Sequence, residues 1–160
     1  MTKIELGKKI YQLSHLTGEF LLRSGKISNE YFDKYQFESY PILLKEIAKE
    51  MSQLIPQNCE VLAALEMGGI PIATALAMET GLPIVFVRKK AKEYGTRKFS
   101  EGIEIANKNV VIIEDVVTSG GQIILSANDI KSIGAIVDTA LCVIDREEGG
   151  REKLQDAGLK

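Results

Sequence analysis

The chain has 160 residues, 45% of them hydrophobic, with a net charge of −2 and a pI near 5.6. That length suits one domain over residues 1–160 with a buried core, and the lack of a basic excess argues against nucleic acid and anionic membranes as partners and for small molecules. Cys59 and Cys142, far apart and without metal-ligand spacing, fit a reduced, cytoplasmic protein. Charges at Lys3, Glu5, Lys8 and Lys9 argue against a secretory leader, and Glu66, Glu79 and interspersed prolines and glycines break the longest apolar stretch before it could span a membrane.

In chain order, the spacing of Ile10, Leu13, Leu16 and Phe20 predicts an amphipathic helix over 2–19, with His15, the only histidine, on its surface; no Asp, Ser or Cys nearby completes a triad with it. A second amphipathic helix is predicted over 41–54, with Pro41 in the first turn, where a missing N–H costs nothing. Four β-like runs follow, at 61–65, 83–87, 110–113 and 136–144. They alternate with helices at 70–79, stopped by Gly81 and Pro83, and 121–133, stopped by Gly134. The alternation predicts an α/β fold, a doubly wound and mostly parallel sheet with right-handed crossovers.

One interval breaks this rhythm. Residues 88–109 lack periodicity, and a connection of that length in a compact domain reads as a mobile lid. Within 87–102 it carries Arg88, Lys89, Lys90, Lys92, Arg97 and Lys98 against only Glu93 and Glu101. A solvated surface loop would explain the charge, and so would a lid that meets an anionic leaving group.

The third β-like run leads into the densest chemistry of the chain, VVIIEDVVTSGGQ at 110–122. A β-branched strand buried on both faces delivers Glu114 and Asp115 to its carboxyl end, where open parallel sheets bind ligands. Thr118, Ser119, Gly120 and Gly121 then open a helix, whose free N–H groups and positive dipole end suit a phosphate. Carboxylates accept from ribose hydroxyls, so the pair suits a sugar phosphate. Neither GxxxxGK[ST] nor GxGxxG occurs.

These thirteen residues resemble the phosphoribosyl-pyrophosphate (PRPP) motif of the type I phosphoribosyltransferases. By that resemblance Glu114 and Asp115 meet the ribose diol, and Val116 to Gly121 (Val116, Val117, Thr118, Ser119, Gly120, Gly121) cradle the 5′-phosphate. Three further segments are similar to the orotate phosphoribosyltransferases: FLLRSGKISNEYFD at 20–33, EMGGIPIATALA at 66–77 with VRKKAKEYGT at 87–96, and CVIDREEGGREKLQDAGL at 142–159. The implied activity is transfer of the phosphoribosyl group of PRPP to a ring nitrogen of orotate, giving orotidine 5′-monophosphate and pyrophosphate in pyrimidine (UMP) synthesis.

The resemblance also implies residue roles. Arg23, Arg88, Lys89, Lys92 and Tyr94 join the PRPP site, with Arg88, Lys92 and Asp115 the catalytic set. Lys26, Tyr31, Phe32, Thr118 and Arg146 meet orotate, and residues 1–40 form a hood. Mg²⁺ arrives with PRPP, without dedicated protein ligands and with Glu114 and Asp115 as outer partners. A homodimer is implied, loop 88–102 of one subunit reaching the neighbouring site.

Two positions depart from the family pattern. Tyr94 stands where the best-known members have histidine, and Met67 and Gly68 replace an aromatic and a lysine. A purine phosphoribosyltransferase, or a PRPP- or nucleotide-sensing regulator of the same fold, shares the motif. Arg146 separates the first from an orotate enzyme, because neutral purines carry no carboxylate for it.

Overall fold

The computed structural model describes residues 1–22, 25–90 and 99–160. Helix α1 (Lys3–Ser14) begins with a capping box, in which the Thr2 hydroxyl accepts from the Glu5 N–H and the Glu5 carboxylate accepts from the Thr2 N–H. It ends at Ser14, short of the expected residue 19. His15–Leu21 is instead strand β1, antiparallel to β2 (Ile27–Phe32) and irregular between Thr17 and Phe20. Gly18 inside the run disfavours helix, and 27–32 offers an extended partner. The helix α2 (Lys34–Glu38) follows at once, its N-terminus capped by Asp33, whose side chain accepts from the Tyr35 N–H. Helix α3 (Pro41–Ser52) has its proline in the first turn as predicted.

The main sheet uses β3 (Val61–Leu65), β4 (Ile84–Val87), β5 (Ser100–Gly102), β6 (Asn109–Val117) and β7 (Ile136–Asp145), in the order β5-β4-β3-β6-β7. All pairs are parallel except β4 with β5. β5 lies within the interval expected to be loop. Three residues are too few to show a period, and their place is set by pairing along the open edge of β4. Helices α4 (Gly69–Thr80), α5 (Gly121–Ser132) and α6 (Gly150–Asp156) complete the chain.

Each face of the sheet has its own apolar layer. Val110 and Ile112 pack with Ile123, Ala127 and Ile130 of α5 and with Leu154 of α6. Val111 and Ile113 pack with Ile10, Phe37, Ile47, Ile72 and Leu76 from the other helices. Strand β3 is buried along its whole length, as a central parallel strand covered on both faces should be. The expected α/β, doubly wound sheet is therefore what forms. Cys59 and Cys142 are half-buried free thiols, and burial is the main cause that raises both pKa values.

The crevice arises where strand lengths differ. β3 pairs with β6 only as far as Ala64 and Ile113, whereas β6 continues against β7 until Val117 faces Asp145. Past Ile113 the place of β3 is taken by the 66–69 turn that opens α4. This is the switch point of the doubly wound sheet, between the β3–β4 half and the β6–β7 half.

Candidate active site

Alternation along β6 sends its two acids to different places. Glu114 lines a pocket of about 310 Å³ together with Val116, Val117, Thr118, Ser119, Gly120 and Gly121. The turn is shaped by Gly120, whose φ of +72° suits glycine. No side chain among the described residues caps α5, so its first N–H groups remain for an anion. Behind the turn stands α6. A Cβ on Gly150 would lie 2.5 Å from the Thr118 carbonyl oxygen, and one on Gly120 would lie 3.0 Å from Leu154.

Asp115 faces the opposite layer and is 0% exposed. Its Oδ1 accepts from the Val116 N–H at 2.6 Å, and its Oδ2 lies 2.5 Å from Lys34 Nζ. A Cβ on Gly68 would fall 1.4 Å from that Oδ2, so the turn after β3 presses directly on the carboxylate. Glu38, one helical turn beyond Lys34, is 6% exposed and adjoins the same group.

The charges of this cluster follow from burial. For Glu38 and Glu114, desolvation first and the neighbouring Asp115 second push each carboxyl up to about 8. Burial also opposes ionisation of Asp115, but hydrogen bonds from Glu114 and Lys34 outweigh it and hold the carboxyl below its ordinary range. Burial likewise works against the Lys34 ammonium, and Asp115 more than offsets it. Asp115 therefore carries the negative charge that Lys34 balances, and its two acidic neighbours hold protons near neutrality.

A larger cavity of about 780 Å³ adjoins the phosphate turn, and Tyr31, Phe32, Thr118 and Arg146 all line it, as do Tyr11, His15 and Glu30. Lys26 is exposed at the far end of the β1–β2 hairpin and is not among the lining residues. His15 does not sit on a helix surface. β1 places it in the cavity wall, its ring stacked on Tyr11 at 4.7 Å and its Nε2 2.5 Å from Glu30 Oε2. The helical spacing of its neighbours had concealed that position. Arg146 Nε lies 3.4 Å from Glu148, while its backbone N–H donates to Val117 and ties the guanidinium's origin to the end of β6.

Of the basic interval, Arg88 pairs with Glu101 at 3.5 Å and the Lys89 N–H donates to Glu66 at 2.6 Å. Both therefore start from the crevice rim. Arg23, Lys92 and Tyr94 lie outside the described residues, as do Arg97 and Lys98. Sequence reasoning missed Lys34, Glu38, Glu30 and Glu66. The one available signal was the i, i+4 pairing of Lys34 with Glu38 ahead of an apolar helix, and it does not reveal Asp115 as the shared partner.

The phosphoribosyl transferase domain family matches residues 35–158. An orotate phosphoribosyltransferase of Nocardioides sp. is 47% identical over 155 residues, covering 97% of this chain and 87% of the relative. That of Methanocella arvoryzae is 42% identical over 143 residues, covering 89% and 82%. Among solved structures, Mycobacterium tuberculosis orotate phosphoribosyltransferase superposes with a TM-score of 0.88 at 28% identity, over 98% of this chain and 91% of the other. The same enzyme in complex with PRPP gives 0.82 at 26% identity, over 98% and 90%. Fold, crevice and relatedness agree, and the chain belongs to the phosphoribosyltransferase family, among its orotate phosphoribosyltransferases.

Proposed function

We propose that the two pockets are the two halves of one reaction site, the phosphoribosyl half at Glu114 to Gly121 and the pyrimidine half at Tyr31, Phe32 and Arg146. One observation carries the reading: Thr118 lines both cavities, so a sugar anchored by its phosphate in the first would present C1 to a base held in the second. The reaction is displacement of pyrophosphate from C1 of PRPP by a ring nitrogen of orotate. No group on the protein needs to form a covalent bond.

The residue roles are those the family resemblance implies, and their chemistry suits them. The N–H groups of Ser119 to Gly121 donate to the 5′-phosphate, and Glu114, the acid facing that pocket, meets the ribose diol. Arg146 presents parallel donors to the orotate carboxylate, and Tyr31 and Phe32 flank the ring. Arg88, Lys89 and Lys92 offset charge gathering on the departing pyrophosphate. Tyr94 donates a hydrogen bond there, and Arg23 and Lys26 close over the substrates from the hood.

The donor set suits Mg²⁺ brought on PRPP oxygens. Glu114, the acid facing the phosphate pocket, offers a hard oxygen as an outer partner. When bound, Mg²⁺ neutralises part of the pyrophosphate charge. Asp115, sealed beneath Gly68, suits that outer role less well than Glu114. The working unit is a cytoplasmic homodimer in which the basic interval of one subunit serves the site of its partner.

The test is a mixture of protein, PRPP, Mg²⁺ and orotate, followed by loss of orotate absorbance. Turnover with orotate and none with purines is expected; turnover with a purine alone overturns the reading. Arg146→Ala should raise KM for orotate by an amount on the order of 1.5–3 kcal/mol, roughly ten- to 150-fold, since a charged hydrogen bond is lost.

A further inference from the structure

We propose that Lys34 is a positioning residue for PRPP: delivered by α2 beneath the crevice, its ammonium fixes the carboxylate of Asp115 and thereby the tip of β6 that carries Glu114 and the phosphate turn. This deepens the functional reading above and rests on it.

Four features converge on Asp115. The Lys34 ammonium reaches its Oδ2 at 2.5 Å, although Asp115 is 0% exposed and the lysine side chain is 33% exposed. A lysine spanning from the crevice rim to a sealed acid is a directed contact, not a surface ion pair. Glu38, on the same face of α2, contributes a second buried carboxyl to the same point, with neither oxygen otherwise hydrogen-bonded among the described residues. Gly68 leaves space for Asp115 Oδ2 that any side chain would fill. Backbone hydrogen bonds then join Asp115 to both its neighbours: its N–H donates to Glu114 Oε1 at 3.0 Å, and its Oδ1 accepts from Val116.

Charge gives this arrangement its purpose. Glu38, Glu114 and Asp115 put three carboxyl groups next to a site that must admit a polyanion, and Lys34 is the cation in direct contact with the Asp115 carboxylate. Without it the cluster would repel the incoming phosphates or reorganise to shed charge. With it, the strand tip is held and nearly neutral before the sugar arrives, which lowers the cost of ordering it. In the proposed site orotate meets a cavity lined mainly by the hairpin and the residues around Arg146, and Lys34 is not among its lining residues, so the effect should be selective for PRPP.

The experiment is calorimetric titration of PRPP and, separately, orotate into the whole protein with Mg²⁺, for wild type, Lys34→Met, Lys34→Arg, Asp115→Asn and the two double variants that combine Asp115→Asn with each change at Lys34. Because binding is read directly, failure of wild type to turn over orotate would count against the functional reading and leave this one measurable. Lys34→Met should weaken PRPP by about tenfold or more and orotate by no more than about twofold, with Lys34→Arg in between. Combined with Asp115→Asn, Lys34→Met should add nothing, because the lysine acts through that carboxylate. Unchanged PRPP affinity, an equal loss for orotate, or additive losses in the double variant would each overturn the proposal. If Lys34→Met does not fold, Lys34→Arg carries the same cycle. A loss of about threefold or more is then expected where the Asp115 carboxylate is present, and no further loss in combination with Asp115→Asn.

Discussion

A carboxyl group shut away from water keeps its proton unless something nearby favours the charge, and Glu38 has Asp115 beside it instead. Its folded pKa of about 8 lies above the ordinary 4.5, so the folded state holds more protons than the unfolded state between those values. The stability contributed by protonated Glu38 is therefore complete below about pH 4.5 and is lost as pH rises through about 8. Glu38→Gln, which never ionises, should gain in Tm over wild type as pH rises from about 5 to 8, by calorimetry. A difference that stays flat with pH would place the proton elsewhere in the cluster. At this scale the sequence was legible wherever chemistry is contiguous. Glu114, Thr118 to Gly121 and Arg146 lie in unbroken motifs. Lys34 and Glu38 acquire meaning only through an acid that the fold brings from a distant strand, and no local pattern could announce it.

The elements divide on similar grounds. Buried parallel strands and the helices between them were legible because few structures other than these produce continuous apolar runs alternating with 3.6-residue spacing. The β1–β2 hairpin was hidden because Leu13, Leu16 and Phe20 imitate a helical face, and because the irregular pairing between Thr17 and Phe20 spoils strand alternation. Helix α2 has five residues and β5 has three, too short for a period to show. Packing between elements makes two glycines opposite tests. Gly150→Ala drives a Cβ to within 2.5 Å of the Thr118 carbonyl and 2.7 Å of Val117, and should lower the urea midpoint by the equivalent of about 1–3 kcal/mol. Gly7→Ala, within α1 and with nothing inside 4 Å, should raise it by up to about 1 kcal/mol.

For the whole molecule, the proposed exchange of basic segments between subunits predicts complementation. Lys92→Ala and Arg146→Ala proteins, each impaired alone, should recover up to about a quarter of wild-type activity when unfolded and refolded together, because mixed dimers then hold one intact site. No recovery would mean that the segment serves its own subunit. Chain continuity joins the two cavities. Only Asp33 separates Phe32, in the wall of the pyrimidine cavity, from Lys34, on the carboxylate beneath the sugar. Occupancy of one chamber should thus be felt in the other across a single residue. Thermodynamic reciprocity then demands that whatever factor pre-bound PRPP adds to orotate affinity, pre-bound orotate returns to PRPP, and Asp33→Gly, by slackening that joint, should shrink both factors together.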